Sequence, residues 1–211
     1  MTTMAKIAQS SPSGSESVSS GILVDLQERR LVQQAMAGDG RAFAALVGPH
    51  LPMLLRVAAR VSGDGALAED AVQESLDIAY RRLGDLSKTT PLRAFIAGIV
   101  VKRAKTLARS ERRRRLREQR SEQNTESVVR PGPHERIDLQ RAMQEALDGM
   151  SDKSRAAVVL RLDAGLSHGE IAEEIGSTER SVRVLVHRAM GELRKKLMPL
   201  LGAEQVRGER S

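Results

Sequence analysis

The chain has 211 residues, enough for one large or two small domains, and carries 34 Lys and Arg against 27 Asp and Glu, a net charge of +7. A pI near 10.3 favours a polyanionic partner, either nucleic acid or an anionic membrane surface. There is no Cys, which excludes disulfides, thiol redox switches and Cys-ligated zinc within the chain.

In chain order, residues 1–21 are rich in Ser, hold one Pro and two Gly, and read as a disordered tail. They lack the apolar core of a signal peptide, so the expectation is a cytoplasmic protein. The longest apolar run, 94–101, is far shorter than the ~20 residues of a membrane span, so no stable membrane insertion is expected. Helical pattern begins near Asp25, a candidate cap for the segment that Gly38 ends, and Asp39 can cap the next helix. Pro49 and Pro52 interrupt the pattern, which resumes and stops at Ser62-Gly63-Asp64-Gly65. A helix over 66–83 places Ala68, Val72, Leu76, Ala79 and Leu83 on one side, with Asp70, Gln73, Glu74 and Asp77 outside. After a loop over 84–91, a further helix runs from Leu92 to about Arg117 and ends in a dense basic cluster. Arg112 to Arg115 point all round the helix axis, so they repel one another unless an anion is near, and phosphate contact is the favoured reading.

Residues 118–135 are polar, aperiodic and contain Pro-Gly-Pro, the signature of a linker. Beyond it, helices are expected over 137–150 and 153–164. Ser167 and Glu170 then form a capping-box pattern ahead of Ile171, Ala172 and Ile175, and Gly176 supplies a left-handed stop. Ser177 or Thr178 can cap the last helix, whose stripe is Val182, Leu185, Val186, Ala189, Met190 and Leu193. Arg180, Arg183 and His187 lie on its other side, flanked by Glu179 and Arg188. Two helices joined by a Gly turn, the second basic outside, make a helix-turn-helix, whose second member enters the DNA major groove. An ordinary helical hairpin with solvated arginines is the competing reading of that stretch taken alone.

The expected fold is all-α, two small helical bundles joined by a flexible linker, the C-terminal one containing the helix-turn-helix. The divisions are a tail (1–21), a first bundle (22–117), a linker (118–135), a second bundle (136–199) and a C-terminal tail (200–211). The four His residues are scattered without metal-ligand spacing and no phosphate-binding Gly loop appears, so neither an enzyme nor a cofactor is expected.

The two halves together resemble an extracytoplasmic-function (group 4) sigma factor of bacterial RNA polymerase, in the sigma-70 family. The resemblance runs from Leu31 to Leu197 and is carried by Gly38-Asp39, Ala42-Phe43, Pro52 to Arg56, and above all Ala68-Glu69-Asp70 with Val72-Gln73-Glu74 and Ala79-Tyr80-Arg81. Arg93 to Ile96 with Ile99 adds to it, as do Gly165-Leu166-Ser167, Glu170-Ile171-Ala172, Val182 and His187-Arg188-Ala189 in the second half. The resemblance implies that Asp70, Gln73 and Glu74 dock on the polymerase core (β′ and β subunits). It also implies that the loop of Ser87, Lys88 and Thr89 receives a flipped base of the −10 element, and that Lys102, Arg103, Arg112 and Arg113 hold the −10 strand. Thr178, Arg180, Arg183, His187 and Arg188 would meet the −35 element, arginine being suited to guanine O6 and N7. Promoter DNA and an anti-sigma factor are the other implied partners. The chain departs from the family pattern at Phe95, Gly98 and Lys102, where Trp, Arg and Asn are usual. The alternative function is a DNA-binding regulator that uses the same helix-turn-helix without serving as a polymerase subunit.

Overall fold

The computed structural model describes residues 15–86, 90–121 and 135–208, and every described regular element is helical. Two compact units divide at Pro49/His50. The first contains α1 (Ser15–Met36) packed on α2 (Gly40–Val47). Asp39 caps α2 by accepting hydrogen bonds from the Arg41 and Ala42 amides at 2.9 and 3.2 Å. Ala35, Ala42, Leu46 and Val47 are buried. The expected cap at Asp25 is corrected: α1 begins at Ser15, inside the stretch read as a tail, and Asp25 lies in its interior. Once a helix is nucleated, extension costs only the modest propensity difference of each added residue, and that runs past a weak cap.

The second unit holds α3 (Leu51–Ser62), α4 (Gly65–Arg81), α5 (Leu92–Ser121), α6 (Glu135–Asp148), α7 (Asp152–Leu162), α8 (His168–Ile175) and α9 (Glu179–Gly208). α3, α4 and α5 pack on one another around Leu54, Val57, Ala71, Val72, Ile96 and Val100. Asp64 starts α4 by accepting from the Ala66 and Leu67 amides. The segment 40–62 reaches a mean hydropathy of 1.4 over a membrane-length window, more than the sequence reading allowed. It is broken by a 3-10 turn at Gly48–His50, and Leu46, Val47, Leu54, Val57, Ala58 and Val61 within it are buried in protein.

α7, α8 and α9 enclose a second core of Leu147, Leu160, Leu166, Ile171, Val182 and Leu193, with α6 laid along α9. Arg155 to Leu160 on α7 are all buried, a run that wraps the whole helix. α5 continues past the expected end of the first bundle to Ser121, and α9 continues past 199 to Gly208 with Pro199 inside it. Proline's fixed φ is compatible with a helix, at the loss of one hydrogen bond. The rest of the expected linker, 122–134, lies outside the described residues.

Candidate nucleic-acid and protein interfaces

The helix-turn-helix forms as its residue types dictate. Ser167 Oγ accepts from the Glu170 amide at 3.2 Å while the Glu170 carboxylate accepts from the Ser167 amide at 2.6 Å, a complete capping box at the start of α8. Gly176 ends α8 at φ 61°, where a Cβ would be strained, and the chain turns directly into α9. Thr178, not Ser177, caps α9: its hydroxyl accepts from the Ser181 amide at 3.2 Å. Val182, Val186, Ala189 and Leu193 are buried, as the stripe requires, and Leu185 and Met190 are half-buried.

The opposite face of α9 is a row of exposed side chains: Thr178, Arg180, Arg183, His187 and Arg188. Arg183 donates to Glu179 at 2.8 Å. Arg180 and Arg188 border an open groove with Ser181, Val184 and Glu192, and Val184 is 46% exposed within it. The row combines fork-shaped donors with a small apolar contact, the two kinds of group that read base edges in the major groove.

On the first bundle, Asp70 and Gln73 are exposed on α4. Glu74 is half-buried because it pairs with Arg103 across the α4–α5 contact, so a side chain expected at a protein interface and one expected on DNA are joined. Lys102 is paired as well, its Nζ 3.1 Å from a Glu174 carboxylate oxygen. The Arg112 to Arg115 cluster divides. Arg114 and Arg115 both bond Glu111, whose carboxyl is held below its ordinary range chiefly by Arg115 and then Arg114. Arg112 and Arg113 are exposed, with no ion pair among the described residues. The repulsion expected within the cluster is thus relieved for half of it by a carboxylate one turn back. Ser87, Lys88 and Thr89 lie outside the described residues.

Sequence reasoning missed Arg155. Its side chain is 9% exposed, and its guanidinium donates to the carbonyls of Leu147 (2.9 Å), Asp148 (3.1 Å) and Val61 (3.3 Å). Those carbonyls belong to the ends of α6 and α3, where a helix runs out of its own donors; the Leu147 carbonyl also accepts from the Met150 amide at 3.0 Å, and the guanidinium pairs with the Asp148 carboxylate at 3.1 Å. The signal was an Arg leading an unbroken apolar run, since such a helix has no solvent face on which to put it.

Comparison with known proteins agrees with this geometry. The sigma-70 region 2 model matches residues 46–114 and the sigma-70 region 4 model matches residues 140–193. The chain is 28% identical over 192 residues to the RNA polymerase sigma-H factor of Pseudomonas aeruginosa, covering 85% of this chain and 98% of that protein. It is 29% identical over 172 residues to the ECF RNA polymerase sigma factor SigL of Mycobacterium tuberculosis, covering 80% and 96%. Among solved structures it resembles CnrH in complex with the cytosolic domain of CnrY, with a TM-score of 0.59 and 27% identity over 84% of this chain and 98% of that one. With two family models matching in order along more than half of its length, the chain belongs to the sigma-70 family as an extracytoplasmic-function sigma factor, a subunit that directs bacterial RNA polymerase to promoters.

Proposed function

We propose that the exposed face of α9 reads the −35 element, with Arg180, Arg183 and His187 on base edges and Thr178 and Arg188 on the backbone. The observation that carries this is the capped helix-turn-helix, which presents the N-terminal half of α9 with its basic side chains exposed. In this reading the first bundle and the second bundle are the −10 and −35 domains, and the segment 118–135 links them. Lys102, Arg103, Arg112 and Arg113 hold the −10 strand by their charge, and Ser87, Lys88 and Thr89 meet its flipped base. Asp70, Gln73 and Glu74 dock on the polymerase core. The role is binding and strand opening, without covalent chemistry or a cofactor, in the cytoplasm. An anti-sigma factor is a proposed partner: CnrH and the sigma factor RpoE of Bartonella quintana were both solved in complexes, the latter with the anti-sigma factor NepR.

Co-migration of the purified chain with bacterial core polymerase tests the docking reading. Stoichiometric binding is expected, with loss in Gln73→Ala/Glu74→Ala. Gln73→Ala alone separates docking from the Glu74–Arg103 pair, because Gln73 is exposed. A folded wild-type chain that fails to bind core but binds a specific duplex by itself, as a dimer, would instead be a conventional regulator.

A further inference from the structure

The basic face of α9 carries one exposed side chain to which the proposed −35 contacts give no task. Val184 is 46% exposed and stands in the second turn of α9, one residue past Arg183. On a helix the surface neighbours of a residue are those three and four positions away. For Val184 they are Arg180, Ser181, His187 and Arg188, all exposed. Arg180 lies one turn before it and Arg188 one turn after, and the three border the same open groove. Leu185, half-buried, and Ala189, buried, also line that groove. The Ser181 hydroxyl accepts from the Thr178 hydroxyl at 2.8 Å, within the cap of α9.

Valine contributes little to the fold here. Much of its surface is in solvent, and a β-branched residue is a poorer helix former than alanine. Its setting makes it the centre of the face on which Arg180, His187 and Arg188 would meet DNA. A duplex held by those three has to cover Val184 and strip the water from it. Base edges in the major groove present hydrogen-bonding groups and one apolar group, the C5-methyl of thymine. A donor or acceptor pressed on valine loses its water without gaining a partner. A thymine methyl gives up no hydrogen bond, and the contact removes apolar surface from water on both sides.

We infer that Val184 is a specificity residue for thymine: it holds the C5-methyl of one thymine in the −35 element against its own methyl groups, between Arg180 and Arg188. This rests on the proposed reading of the −35 element by α9 and adds to it the identity of one base. The place of that base follows as well. Four residues of helix advance about 6 Å, and successive bases on a strand are about 3.4 Å apart. The thymine therefore lies within about two steps of the base that Arg180 reads.

Holoenzyme assembled from the full chain and bacterial core polymerase selects duplexes from a library randomised in the upstream promoter region, beside holoenzymes carrying Arg180→Ala and Arg180→Ala/Arg183→Ala. The selected −35 sequence is then rebuilt with deoxyuridine in place of each thymine in turn, which deletes the C5-methyl and keeps the pairing. Wild-type binding is expected to fall about threefold to fivefold at one thymine, the worth of one buried methyl group. That thymine is expected within about two base pairs of the position relaxed by Arg180→Ala. Val184→Ala is expected to bind the thymine duplex more weakly by a similar factor and to be indifferent to deoxyuridine there. The cycle of two proteins and two duplexes isolates the contact. The variant keeps its helix, because an exposed valine gives way to a better helix former. A selected element with no thymine near the Arg180 position, or wild-type binding unchanged at each thymine, overturns the inference. A deoxyuridine effect that persists in full in Val184→Ala overturns it too. Weaker binding of Val184→Ala to core polymerase without DNA would place a protein on this face and overturn it as well. Selection that is identical for wild type and Arg180→Ala/Arg183→Ala removes the −35 reading and this inference with it, whereas a flat deoxyuridine series removes this inference alone.

Discussion

Arg155 offers the sharpest energetic test of the structure. Replacement by Ala removes the donor to three helix-terminal carbonyls, of which Leu147 keeps the Met150 amide at 3.0 Å, and it breaks the 3.1 Å ion pair with the Asp148 carboxylate. Hydrogen bonds from a charged donor are worth about 1.5–3 kcal/mol each, so simple addition suggests about 4.5–9 kcal/mol. Addition overstates the loss. The Val61 bond is long at 3.3 Å, and the guanidinium is fully hydrated in the unfolded chain. Breaking one side of a buried charged cluster costs about 3–5 kcal/mol, and that is the expected loss for Arg155→Ala. At about 2–4 °C per kcal/mol for a chain of this size, the melting temperature falls by roughly 10 °C. Arg155→Lys keeps the charge but not the planar fork, and is expected to recover less than half of the loss. Urea unfolding followed by circular dichroism measures both. A loss below about 1 kcal/mol for Arg155→Ala would refute the assignment, since it would mean that water satisfies those carbonyls equally well.

Other consequences are open to simpler measurement. Burial raises the Asp163 carboxyl above its ordinary 3.8, against the pull of Arg60 and Arg56. The folded state therefore holds that proton more tightly, so the Asp163 contribution is full below the unfolded value and is lost as pH rises through the folded one. Asp163→Asn is expected to flatten stability against pH in that window and to cost little at neutral pH; a neutral-pH loss above about 2 kcal/mol would contradict the dominance of burial. Asp152 has the opposite sign. The hydrogen bond from Arg109 lowers its carboxyl first of all, so its contribution is present above 3.8 and disappears as pH falls through the folded value. Its side chain is 41% exposed, which limits Asp152→Asn to about 1 kcal/mol or less, and less again in high salt. Ser167→Ala breaks the capping box and is expected to cost about 1 kcal/mol, read as earlier hydrogen exchange in α8 than elsewhere. Arg180→Ala and Arg183→Ala should each cost about 1–3 kcal/mol of discrimination between matched and mismatched −35 sequences, whereas Arg188→Ala should weaken all of them alike.

What the sequence carried plainly was local. The Ser167–Glu170 capping box, the Gly176 stop and the Val182–Leu193 stripe each depend on residues within a few positions of one another, and each took the expected form. The helix ends were less legible at 15, 121 and 208, because propagation past a weak boundary costs too little for any single residue to fix it. Contacts distant in the chain left almost no trace. Nothing near Gly98 points to Glu174, and nothing near Arg155 points to the end of α3. Gly98 stood out only as a departure from the family pattern, and what the structure places beside it is the carboxylate end of Glu174 on α8.

The basic residues therefore differ in what a nucleic acid must displace to reach them, and net charge hides that difference. Arg183 is tied to Glu179 by an exposed contact one turn away, with side chains 67% and 56% exposed. Such a pair is worth about 0.3–0.5 kcal/mol, so it orients the guanidinium without withholding it from a base. Lys102 is tied to a carboxylate that is only 15% exposed and seated on a second helix, and freeing it means undoing part of a packed contact. Arg112 and Arg113 have no described ion-pair partner to displace. The order in which these groups become available is thus Arg112 and Arg113 first, Arg183 next and Lys102 last. If the α5 cations hold a strand as proposed, one that first meets Arg112 and Arg113 gains charge neutralisation before it has to displace Glu174 from Lys102.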